Sequence, residues 1–149
     1  MLDTNDARWW SAFVERSTEE ASRRGGGTFT DQGLVRLSPP DRSGEIIEVV
    51  QYMDDGLCKL TAGFITSVMA SYIEYEDHNG VLPLILAVMD GHGREVVTIA
   101  ADGSWLGAHS VIEIPTGGRT RSERLVPPRR LRGTPVDHTH VRPIEAWGS

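Results

Sequence analysis

The feature that most constrains this chain is a series of short Ile- and Val-rich segments cut apart by turn-forming residues. Residues 45–53 read Glu-Ile-Ile-Glu-Val-Val-Gln-Tyr-Met and stop at Asp54-Asp55-Gly56, after which 57–60 return. Residues 33–37 form a shorter segment closed by Ser38-Pro39-Pro40-Asp41. Further along, the apolar stretch 81–89 meets Asp90-Gly91-His92-Gly93, residues 95–101 return, and Asp102-Gly103 leads into Trp105–Ile114. β-Branched runs of this length, separated by Asp-Gly and Gly-x-Gly turns, predict antiparallel strands joined by hairpins.

Two segments carry a helical period instead. In 5–24, Trp9, Phe13 and Trp10, Val14, Ala21 recur at three- and four-residue spacing, with Arg8, Glu15, Glu19 and Arg23 opposite. Asp3, Thr4 or Asn5 is placed to cap this helix, and Gly25-Gly26-Gly27 stops it. Adjacent Trp9 and Trp10 point about 100° apart on a helix, so one packs inward while the other lies at a rim or an interface. In 64–73, Phe64, Ile65, Val68, Met69, Tyr72 and Ile73 come as pairs every four residues, which predicts a second helix ended by Asn79-Gly80, with a strand as the fallback. The expected architecture is α+β: one antiparallel sheet of about five strands with two helices packed on one face.

A chain of 149 residues with 39% hydrophobic side chains suits one compact domain. The compact part is expected over 1–115, and the Arg- and Pro-rich remainder, 116–149, is expected as an extended arm. The longest apolar stretch, 81–89, is far short of a membrane span. The acidic first residues lack the apolar core of a signal peptide. A lone cysteine, Cys58, permits no internal disulfide, which fits a reducing cytoplasm.

Charge is divided unevenly. Residues 1–115 carry 8 basic against 18 acidic side chains, and 116–149 carry 7 arginines against 3 acids, together a formal net charge of -6. An acidic body repels nucleic acid and attracts basic partners. The arginines at 119, 121, 124, 129, 130 and 132 could grip phosphate, but no aromatic precedes Trp147 there to stack on bases. The simpler reading is a tail folded back on the acidic body or solvated. Nucleic acid is therefore not the expected partner.

Motifs with chemistry are few. Gln51-Tyr52-Met53-Asp54-Asp55 resembles the Tyr-Met-Asp-Asp signature of reverse transcriptases, whose paired aspartates hold metal. The resemblance covers five residues, and the chain is too short for a polymerase palm with fingers and thumb. Ordinary turn chemistry accounts for the string. His138-Thr139-His140 with Glu145 resembles the first metal motif of cupins, but its spacing from Gly133 is short by one and the chain ends before the further strands a cupin barrel needs. No metal or other cofactor is expected. Cys58 reads as a small buried hydrophobe. Trp105, His109 and Glu113 are separated by even steps, share a strand face, and with Tyr72 or Tyr75 could line a small-ligand pocket.

The acids Glu74, Glu76 and Asp77, with Asp54 and Asp55, could form a negative rim if the fold brings them together. These observations lead to an expectation of a non-catalytic protein-binding module, similar in outline to immunity proteins, secretion chaperones or inhibitors. Its partner surface is expected at Trp9, Trp10, Asp54, Asp55, Glu74, Glu76 and Asp77, with a homodimer through the first helix as a further expectation. Two alternatives stand beside it: a ligand pocket or small enzyme around His109, and a subunit of a larger phage-like assembly that uses the arm.

Overall fold

The computed structural model describes residues 4–52, 56–114, 119–125 and 136–148. The first element is helix α1, Thr4–Arg23. Its inward positions Phe13, Ser17, Glu20 and Ala21 are buried, and Trp10 and Val14 pack beside them. Spacings of three and four make that stripe, as the sequence periodicity requires. Gly25 and Gly26 close the helix with hydrogen bonds to the Ser22 and Ala21 carbonyls at 3.0 and 2.8 Å.

Strands β1 (Gly27–Asp31), β2 (Leu34–Ser38), β3 (Ile47–Tyr52), β4 (Leu57–Ala62) and β5 (Thr66–Ser71) form a five-stranded antiparallel meander in chain order. The register pairs Val35 with Val49, Val49 with Leu60, and Leu60 with Val68. Residues directly opposite share a face, so one side of the sheet presents a continuous aliphatic layer. Val35, Leu37, Ile47, Val49, Cys58 and Leu60 are fully buried there.

Two elements exchange the types expected of them. Residues 64–73 hold strand β5 rather than a helix. Thr66, Val68 and Ala70 point inward, while Phe64 stays 82% exposed at the hairpin before it. Strand and helix periods coincide wherever an outward position such as Met69 is also apolar, and here the six-residue ladder with β4 decides. Residues 81–89 hold helix α2, Val81–Met89, rather than a central strand. Seven of its nine residues are buried, because it lies between the two sheets and needs no polar face. Pro83 sits in its first turn, where the missing N–H has no helical partner to lose. The turn at 90–93 therefore joins a helix to a strand, with the His92 amide donating to the Ala87 carbonyl at 2.9 Å.

The second sheet contains β6 (Gly93–Ala100), β7 (Trp105–Ile114), β8 (Arg119–Leu125) and β9 (Val136–Pro143) in the order β8-β7-β6-β9, all antiparallel. With two helices beside antiparallel sheets, the fold is α+β. In the described parts of the C-terminal segment, β9 pairs along β6, and the chain beyond it folds back on the body. Ile144 and Trp147 join the core, the Trp147 indole N–H donates to the Glu45 carbonyl at 2.7 Å, and its amide donates to the Met89 carbonyl at 2.8 Å. Gly44 makes room for this ring: it holds φ +124, and a Cβ there would lie 2.6 Å from Trp147 Cδ1.

Buried charge ties the layers together. Glu95 of β6, 2% exposed, accepts hydrogen bonds from the amides of Phe64, Ile65 and Thr66 at 3.1, 2.6 and 2.8 Å and from the Thr66 hydroxyl at 2.9 Å. Arg142 of β9 donates to Glu95 at 2.7 Å, pairs with Glu45, and lies over the Phe64 ring at 4.2 Å. The carboxylate thus fastens the β4–β5 turn of one sheet to two strands of the other. Glu20, 1% exposed, is held by Arg16, Arg23 and Arg24, and Arg24 continues to Asp90 at the end of α2 at 2.7 Å. Among the described residues no helix is long and apolar enough to cross a membrane.

Candidate functional site

The site is built where α1 meets the loop between β5 and α2. A hydrogen-bonded turn fixes this loop: the Asp77 amide donates to the Glu74 carbonyl at 3.0 Å, Gly80 to Asp77 at 2.7 Å, and Leu82 to Tyr75 at 3.1 Å. Glu74 holds φ +52, a left-handed conformation that costs a non-glycine residue free energy and is kept here by its neighbours. The turn sends the Tyr75 ring toward α1 and leaves Glu74, Glu76 and Asp77 exposed.

Trp9 meets Tyr75 edge-on, with ring centroids 6.5 Å apart and planes at 75°. Trp9 is 38% exposed, while Trp10, one step around the helix, packs against Phe13 and Tyr72 at 5.3 and 5.2 Å. One tryptophan faces the rim and its neighbour faces the interior. Trp9, Glu74, Tyr75, Glu76 and Asp77 together line a cleft of about 350 Å³. Of the residues expected at a partner surface, the structure gathers Trp9, Glu74, Glu76 and Asp77 here; Asp54 and Asp55 lie outside the described residues.

Electrostatics at the cleft are negative. Burial, then the Glu76 carboxylate, with smaller contributions from Glu15 and Glu19, holds the Tyr75 hydroxyl above its ordinary pKa, while Arg16 opposes them. The burial part of this shift says nothing of a ligand, but the carboxylates among its causes set up a negative field that favours an arriving cation. A partly exposed indole beside a phenol offers that cation an aromatic face worth about 0.5–2 kcal/mol.

The pocket read from Tyr72, Trp105, His109 and Glu113 is not assembled. Tyr72 is fully buried on the core side, where Gln51 Nε2 donates to its hydroxyl at 3.0 Å. Trp105 and Glu113 are exposed on the outward face of β7, His109 is half-buried in the same row, and Glu113 pairs with Arg94 at 2.9 Å. Even spacing put three of the four on one face, but that face looks away from the fourth.

Cys58 is buried, and burial pushes its thiol up to about 12, so it stays protonated and unreactive at neutral pH. His138 is exposed on β9 and hydrogen-bonded to Asp137 at 2.7 Å, with His140 exposed two residues on. Among the described residues no three His, Cys, Asp or Glu side chains are placed to hold one metal ion.

Sequence periodicity does not reveal the groove beside the cleft, lined by Leu82, Leu86 and Ile114, because residues 81–89 read as a strand. Pro83 at the third position of a nine-residue apolar run was the available signal, since proline fits a helix's first turn better than the middle of a sheet. Nor does the sequence single out Glu20 and Glu95, whose partners are set by tertiary structure. Comparison with protein-family models, with curated proteins and with solved structures finds no match to this chain.

Proposed function

We propose that this chain is a non-catalytic protein-binding module whose acidic side engages a basic partner, in the manner of an immunity protein, a secretion chaperone or an inhibitor. The observation that carries the reading is the Trp9–Tyr75 pair set within Glu74, Glu76 and Asp77, side chains from two elements converging on one open cleft. Aromatic residues ringed by exposed charge form the kind of surface that anchors a partner and sets its specificity. Working in the cytoplasm fits a chain whose single thiol is free and buried. A homodimer through α1 would use the same exposed indole, so the partner and a second copy would compete for it.

The test is capture of a partner from native lysate by the full chain and by a Glu74→Lys, Glu76→Lys, Asp77→Lys variant. The three positions are exposed, so the variant should keep the circular dichroism spectrum of the parent. The reading expects one protein recovered in stoichiometric amount by the parent and lost by the variant. Equal recovery by both, or turnover of a small substrate abolished by His109→Ala, would contradict it.

A further inference from the structure

Adjoining the Trp9–Tyr75 cleft, and sharing Glu76 with it, is a larger groove of about 590 Å³ between α1, the 72–80 loop, α2 and the end of β7. Its floor is aliphatic, made by Leu82, Pro83, Leu86 and Ile114. Its rim carries Arg16, Glu76, His78 and Asp90. Two of these charges are already engaged, Arg16 by Glu20 at 3.1 Å and Asp90 by Arg24 at 2.7 Å. Glu74, Glu76 and Asp77 form no ion pair among the described residues, and Glu15 and Glu19 add their field at Tyr75. An anionic ligand would meet exposed carboxylates and a guanidinium already taken. A purely apolar one would leave those carboxylates to be desolvated without compensation.

We infer that this groove takes a cationic amphipathic segment of the partner protein, its aliphatic side chains seated on Leu82, Leu86 and Ile114 and a Lys or Arg crossing Glu76 to lie against Trp9 and Tyr75. The inference rests on the protein-binding reading and assigns the chemistry of what binds. Aliphatic contacts supply affinity and the charge supplies orientation and encounter rate, so the two should be separable by experiment.

Three labelled synthetic peptides and the full-length protein make that separation by fluorescence anisotropy. One peptide places Leu and Lys at helical spacing, the second replaces every Leu by Ser, and the third replaces every Lys by Glu. The first should bind at least about tenfold more tightly than either of the others. Glu76→Lys should weaken it by about tenfold, whereas Leu86→Gln should weaken it about fivefold and leave the Ser/Lys peptide unaffected. Glu76 is exposed and Leu86 is half-buried against the core, so each variant is first required to keep the parent's circular dichroism spectrum and melting temperature.

Equal binding of the Leu/Lys and Ser/Lys peptides, tighter binding of the Leu/Glu peptide, indifference to Glu76→Lys, or no binding by any peptide would overturn the assignment. If partner capture still requires Glu74, Glu76 and Asp77 while the peptides show no preference, the groove assignment falls and the protein-binding reading stands. If capture is also indifferent to those three residues, both fall.

Discussion

Among single residues, Glu95 does the most to hold the two sheets in one arrangement. Burial alone would raise its pKa, but the amides of Ile65 and Phe64 and the Thr66 hydroxyl and amide outweigh that and hold it below the ordinary carboxylate value. Glu95→Gln leaves Arg142 facing a neutral amide in place of a buried carboxylate and should destabilise the protein by about 3 kcal/mol in urea unfolding. A change under about 0.5 kcal/mol would mean that solvent replaces those bonds freely. At Glu20, burial also pushes upward, and hydrogen bonds from Arg24, Arg23 and Arg16 reverse it, bringing the group from 4.5 to about 2. A carboxylate whose folded pKa is depressed stabilises the fold above its unfolded value and loses that contribution as pH falls through the folded one. Stability should therefore decline between pH 4.5 and about 2, and Glu20→Gln should flatten the decline while lowering stability at neutral pH. Urea midpoints measured across that range check both.

Among the elements, β9 and the chain after it matter beyond their length. Ile144 and Trp147 are nearly fully buried, and β9 forms the edge ladder on β6. Each such side chain contributes about 1.5–3 kcal/mol by burial, and a domain of this size has about 5–15 kcal/mol in all. Truncation after residue 135 should abolish cooperative thermal unfolding; a truncated chain that melts near the full-length temperature would contradict this placement. The sequence made some of this legible. The α1 stripe and the alternation of β7 follow from periodicity alone, because each element has one wet and one dry side. The identities of β5 and α2 did not follow: β5 carries the apolar Met69 among its outward residues, and α2 buries seven of its nine residues, so neither shows the period of its own type. The cleft was partly readable, since unpaired acids and adjacent tryptophans stand out in a sequence. The Glu95–Arg142 bridge spans 47 residues, and no local pattern announces it.

For the whole molecule, the charge imbalance acquires a geometry. Arg142, from the basic C-terminal segment, is spent on Glu45 and Glu95, while Glu74, Glu76 and Asp77 are exposed and have no cation partner among the described residues. What the body offers outward on this side is therefore an aromatic cleft and an aliphatic groove, both edged with negative charge. The measurement that bears most directly on this account is amide hydrogen exchange of the protein alone and in complex with the protein that the proposed capture recovers. Protection gained on binding should concentrate in residues 9–20 and 72–90, with β7 around Trp105 and His109 unchanged. Protection centred on that face of β7, with residues 72–90 exchanging as they do in the free protein, would contradict it.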